Sequence, residues 1–233
     1  MEEKEVKRLK IAAIVNIIIF IMTVFAMVAM FFGIRFMPGE DKIILASKSA
    51  EMFKYFTIQS NLFMGIMALI LAIDEIKVLK GKKKEISAKK YVLKLVSTTA
   101  VCLTFLVVFT YLGPFTKYGL PAMLMNSNLF FHFITPVISI FTFILFEKTD
   151  KIKYKYTFFG LIPIILYETF YITNILTHLE NGKISPTYDW YLFAQNGLGV
   201  VIIGAPVVFA CTYLISLCLW KFNKKKEVKE ETK

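Results

Sequence analysis

Cysteine, histidine and arginine are all scarce in this chain. Its 233 residues include three cysteines and two histidines, and arginine occurs only as Arg8 and Arg35. Cys102, Cys211 and Cys218 show no C-x-x-C and no Cys/His zinc spacing, which excludes a zinc module. All three fall in apolar stretches and read as free thiols packed like small hydrophobes. Charge is scarce as well: 19% of residues are charged, against 57% hydrophobic. That balance excludes intrinsic disorder and argues against a single soluble domain. No connection is long enough for a globular domain; the longest, about 33–52, has some twenty residues. No internal repeat is present, and the apolar runs lack the period-2 alternation of barrel strands.

What the chain has is six apolar stretches, each able to cross a hydrocarbon core of about 30 Å at about 1.5 Å per residue. They run Ile11–Phe32, Phe53–Ile73, Tyr91–Leu112, Met125–Phe146, Tyr156–Leu176 and Leu198–Trp220. The fold class expected is an all-α membrane protein, a six-transmembrane-helix bundle. Residues 1–10 form a tail, 11–220 the bundle and 221–233 a second tail. The first stretch is too long, and has no small-x-small site after it, for a cleaved signal peptide; it is expected to be retained.

The formal net charge is +11. Of 28 basic residues, 22 fall in the N-terminal tail, the second and fourth connections and the C-terminal tail. Eight of these belong to the second connection, Lys82, Lys83 and Lys84 among them. By the positive-inside rule both termini are cytoplasmic, which agrees with an even number of spans. Lysines spread over short connections, without a binding module, give no support to a nucleic-acid partner. The expected partners are membrane lipids and a lipid substrate.

Ionisable groups inside spans cost about 2.5–3.5 kcal/mol at a helix centre and therefore point to function. His132 in the fourth span and Glu168 in the fifth are the two strong cases. Helical spacing groups Thr57, Ser60 and Asn61 on one face, Asn128, His132 and Thr135 on another, and Tyr167, Tyr171 and Asn174 on a third, with Glu168 beside it. Thr57 and His132 each lie roughly 6–11 Å below the outer boundary, at about 1.5 Å per residue. A hydroxyl beside an imidazole is a nucleophile–base pair suited to attack on an ester carbonyl. Asn61, Asn128 or a tyrosine could donate to the oxyanion. A metal site from His132, His178 and Glu168 has no supporting motif, so neither a metal nor any other cofactor is expected.

These residues also carry a resemblance. FKYFTIQSN (Phe53 to Asn61) resembles the second-helix motif of the androgen-induced gene 1/ADTRP family of membrane hydrolases, and its FTIQSN core resembles the bacterial branch. NLFFHFITP (Asn128 to Pro136) resembles that family's fourth-helix Asn…His…Pro segment. A helix with Tyr167 and Tyr171 followed by THLENGKISPTYDW resembles its helix-plus-loop ending in an aromatic motif. The resemblance spans roughly residues 10–220. It implies cleavage of fatty-acyl esters by a threonine nucleophile at Thr57 with a histidine at His132. Three positions depart from the family pattern. Leu129 stands where animal members carry a further histidine, Pro136 follows His132 by four residues instead of five, and Asp189 occupies an expected proline position. Glu168 has two readings: it orients His132 or relays protons, or it is a structural carboxyl bonded to Tyr171.

The expectation is thus a multi-pass lipid-ester hydrolase of a bacterial plasma membrane. The alternative is a non-catalytic lipid-binding protein or a proton-coupled transporter. The residues leave the particular lipid and the oligomeric state open.

Overall fold

The computed structural model describes residues 2–38, 49–115, 119–191, 193–194 and 198–224, with the side chains of 198–201 left undescribed. Lys117 and most of the C-terminal tail lie outside these residues. Among the described residues regular structure is helical, apart from one isolated bridge between Glu180 and Lys183. The helices are α1 (Glu3–Phe32), α2 (Phe56–Leu79), α3 (Ala88–Phe115), the short α4 (Gly119–Met123), α5 (Ser127–Phe146), α6 (Tyr154–Thr177) and α7 (Leu198–Asn223).

Five of them are long and apolar enough to cross a membrane: α1, α3, α5, α6 and the Ile202–Asn223 part of α7. In lipid, such runs must be helical because every backbone N–H and C=O has to be satisfied internally. The expected sixth crossing, α2, is a continuous helix of 24 residues that packs along α1 and α3. The most apolar stretch of α3 is 67% buried, against 17% for that of α7. α3 is therefore the central post, and α7 leaves most of its surface to lipid. α1 stops where Gly33 adopts φ 65°, so that its N–H and that of Ile34 reach back to carbonyls of the last turn.

Both described chain ends lie at the same end of the bundle. There Leu9, Ile86, Tyr91, Ile152 and Leu219 form one apolar cluster. Lys151 Nζ donates to the Ile86 carbonyl at 2.8 Å, and Trp220 Nε1 to that of Ile152 at 2.7 Å. Lys151 also pairs with Glu85 at 2.7 Å and holds that carboxyl below its usual range. This pairing persists above the carboxylate range and is lost as pH falls through it. The opposite, distal end carries the 49–56 segment, α4 and the loop after α6.

Two features of α5 escape a periodicity reading. It winds as π-helix over Phe130–Ile134 and again over Thr142–Phe146. Pro136 has no N–H to give the His132 carbonyl, and the Thr135 N–H bonds to Phe130 instead, five residues back. The second π segment ends with the Glu147 N–H on the Thr142 carbonyl at 3.1 Å. His132 within this helix and Glu147 just after it are thus both set by π turns.

α3, α6 and α7 meet at Gly160, where an added Cβ would lie 2.7 Å from Ser216 Cβ and 3.2 Å from Thr99 Cγ2. Small residues permit such close approach between apolar helices. Gly160→Ala is expected to destabilise the protein by about 1–3 kcal/mol through overpacking, read as a lowered thermal midpoint in detergent.

Candidate active site

The first turn of α2 carries Thr57. Its preceding residue, Phe56, has an N–H without an intrahelical acceptor, as at any helix start. The Tyr191 hydroxyl from the distal loop accepts that N–H at 3.1 Å. The same hydroxyl lies beside the side chains of Thr57 and Tyr167. One turn on, Ser60 Oγ donates to the Thr57 carbonyl at 3.1 Å and faces Thr104 Oγ1 at 3.1 Å. Asn61 Nδ2 donates to the Thr57 carbonyl at 2.8 Å and to the Phe131 carbonyl at 3.1 Å. Ser60 and Asn61 thus both turn back to the Thr57 carbonyl. Asn61 staples α2 to α5 next to His132.

His132 is buried in the first π segment of α5. Its Nδ1 lies 2.6 Å from the Met123 carbonyl. A carbonyl only accepts, so Nδ1 carries the hydrogen and Nε2 keeps the lone pair. This is the tautomer that a general base requires. Among the described residues no hydrogen bond joins His132 to Thr57. Asn128 and Thr135 are buried on the same helix, and the Thr135 hydroxyl has no partner.

Other expected roles change. Both hydrogens of the Asn61 amide are committed to carbonyls, so it has none left for an oxyanion, and its buried Oδ1 is an acceptor without a partner. Asn128 and Tyr191 remain as donors. Glu168 neither orients His132 nor bonds to Tyr171. The Met123 carbonyl orients the imidazole, and Tyr171 donates its hydroxyl to Asp189. Glu168 is half-buried, with Oε2 lacking a partner. Asn174 is half-buried, and its carbonyl accepts from Nδ1 of His178 at 2.8 Å. The exposed His178 stacks on Tyr188 at 4.0 Å between centroids. Among the described residues no group of three His, Cys, Asp or Glu side chains gathers as a metal site.

The distal loop contributes more than its sequence promises. Asp189 is buried and takes the Ala194 N–H at 3.0 Å as well as the Tyr171 hydroxyl. Trp190 Nε1 donates to the Tyr167 hydroxyl at 2.9 Å, and that hydroxyl donates to the Lys54 carbonyl at 2.9 Å. These bonds clamp the loop over the start of α2 and place Tyr191 by Thr57. Asp189→Ala strips the Tyr171 hydroxyl and the Ala194 N–H of their acceptor. It is expected to cost about 1–3 kcal/mol per donor left unpaired and to speed proteolysis within 185–194.

An open groove of about 510 Å³ runs between α2, α3 and α6, lined by Phe56, Ser60, Phe63, Leu93, Leu166 and Phe170 among others. It touches Phe56 and Ser60 beside Thr57, but Thr57 itself is not in its wall.

No protein-family model, no curated protein and no solved structure matches this chain.

Proposed function

We propose that the protein is a multi-pass membrane hydrolase of fatty-acyl esters, with Thr57 as nucleophile and His132 as base. One observation carries this reading: a buried imidazole is held by the Met123 carbonyl with Nε2 free to accept a proton. The Asn61 bonds support it, because they tie the Thr57 turn to the backbone beside His132.

In the proposed reaction Thr57 Oγ attacks the ester carbonyl, and its proton passes to His132 Nε2 directly or through one water. Asn128 or Tyr191 donates to the oxyanion. The tetrahedral intermediate expels the alcohol, which takes the proton from His132. Water, deprotonated by His132, then attacks the acyl-threonine, releases the fatty acid and restores the hydroxyl. The groove along α2 offers an apolar bed for the acyl chain next to the attacked bond. In the same proposal α2 is the sixth crossing and both termini are cytoplasmic. The concentration of lysine at the end holding both described chain ends supports that orientation. Thr57 and His132 then face the outer leaflet.

The test is cleavage of a long-chain fluorogenic acyl ester by purified protein in liposomes. Wild type should cleave it, Thr57→Ala should fall to the protein-free rate, and Thr57→Ser should keep activity. The groove alone would also suit a non-catalytic lipid-binding protein. Saturable binding of a radiolabelled acyl ester, recovered intact from wild type, would favour that second reading.

A further inference from the structure

At the opposite end of the bundle four polar side chains converge from four helices. Asn16 comes from α1, Glu75 from α2, Lys94 from α3 and Glu147 from the end of α5. Each is at most 2% exposed. Lys94 Nζ donates to Asn16 Oδ1 at 2.6 Å and lies 3.4 Å from Glu147 Oε1. Asn16 Nδ2 turns to both acids, at 2.7 Å from Glu147 Oε1 and 3.1 Å from Glu75 Oε2. The remaining oxygen, Glu147 Oε2, is buried without a hydrogen-bond partner. Lys94 is one of the eight basic residues counted with the second connection, and the structure removes it from that surface.

The cluster holds two carboxyl groups and one ammonium. With all three ionised it carries a buried net charge of −1, which a low-dielectric interior opposes. Neighbouring charges do not cancel it. Asp74, next to Glu75 on α2, is engaged by Lys83 and by Lys90 at 2.6 Å. Arg8 and Glu5 of α1 pair with each other at 3.6 Å. Tyr91 of α3 is neutral, and Asn223 of α7 donates its amide to the Glu147 carbonyl at 2.9 Å. A metal cation suits the site poorly because the Lys94 ammonium already stands in it.

We infer that Glu75 and Glu147 share one exchangeable proton, which makes this cluster a proton-binding site separate from His132. One added proton turns a carboxylate into a carboxylic acid and brings the cluster to neutrality. The geometry allows only one: a second proton would leave Lys94 without a counter-ion.

Infrared difference spectroscopy of the full chain in liposomes tests this. The Glu168→Gln background removes a further carboxyl with an unpartnered oxygen. At neutral pH one protonated-carboxyl band per chain should be present, and it should disappear as pH rises. Glu75→Gln and Glu147→Gln should each abolish it, because the single remaining acid, as a carboxylate, balances the Lys94 charge. Lys94→Met should double it. A band that survives both glutamine variants, or no such band in the parent, overturns the proposal; the parent spectrum decides even where a variant does not fold. Thermal stabilisation by sodium over an organic cation at equal ionic strength, lost in Glu75→Gln, would mark a metal-cation site instead and also overturn it.

Discussion

His132→Asn is expected to lower ester cleavage by about 10²–10⁴-fold while the protein stays folded. The choice of asparagine follows from the geometry. Its side-chain amide stands close to where Nδ1 does and can donate to the Met123 carbonyl, so the buried acceptor keeps a partner. The atom lost is Nε2, the lone pair that takes the Thr57 proton. His132→Ala makes a poorer probe because it also orphans the Met123 carbonyl, at about 1–3 kcal/mol. Initial rates on a long-chain ester, beside a thermal melt of the same sample, separate the two effects. Loss of rate at an unchanged midpoint is the expected outcome. An unchanged rate would remove His132 from the reaction.

The second large effect belongs to Lys94. Lys94→Met leaves Glu147 and Glu75 buried with no counter-ion within 4 Å among the interactions described. Breaking a buried pair from one side costs about 3–5 kcal/mol. The deficit should shrink as pH falls, because a protonated acid needs no counter-ion. Lys94→Met with Glu147→Gln should recover most of it, since the surplus charge then goes with its partner. Thermal midpoints of the two single variants and the double, at two pH values, check this. A neutral Lys94→Met would contradict the account of the cluster.

Part of this was legible in the sequence. The apolar runs gave the places of α1, α3, α5, α6 and α7, but α1 begins at Glu3, so most of the expected N-terminal tail is helical. The i, i+3, i+4 spacing of Thr57, Ser60 and Asn61 puts them on one helix face, and Ser60 and Asn61 both bond to the Thr57 carbonyl. Other features left no trace. A helix apolar all round has no polar face to mark which side is inward, so the mates of Asn16 were unreadable. Glu75, Lys94 and Glu147 sit near the ends of their helices, where charge is ordinarily read as solvated. Their convergence is tertiary. The π turns of α5 shift register without altering composition, although Pro136 is a local reason for the first. Asp189 was visible only as a departure from the aromatic loop motif, and Tyr191 lies one residue beyond it. Glu168 stood out as a lone acid in an apolar run. The tyrosine three residues on binds Asp189 instead, because the loop folds back over α6.

The central claim is that the Thr57 hydroxyl is the nucleophile. The most direct measurement is to label the protein in membranes with a fluorophosphonate bearing a long alkyl chain and locate the adduct by mass spectrometry. The account predicts one adduct, on Thr57, absent from Thr57→Ala and strongly reduced in His132→Asn. An adduct on Ser60, one turn away on the groove wall, or labelling that survives in Thr57→Ala, would contradict it.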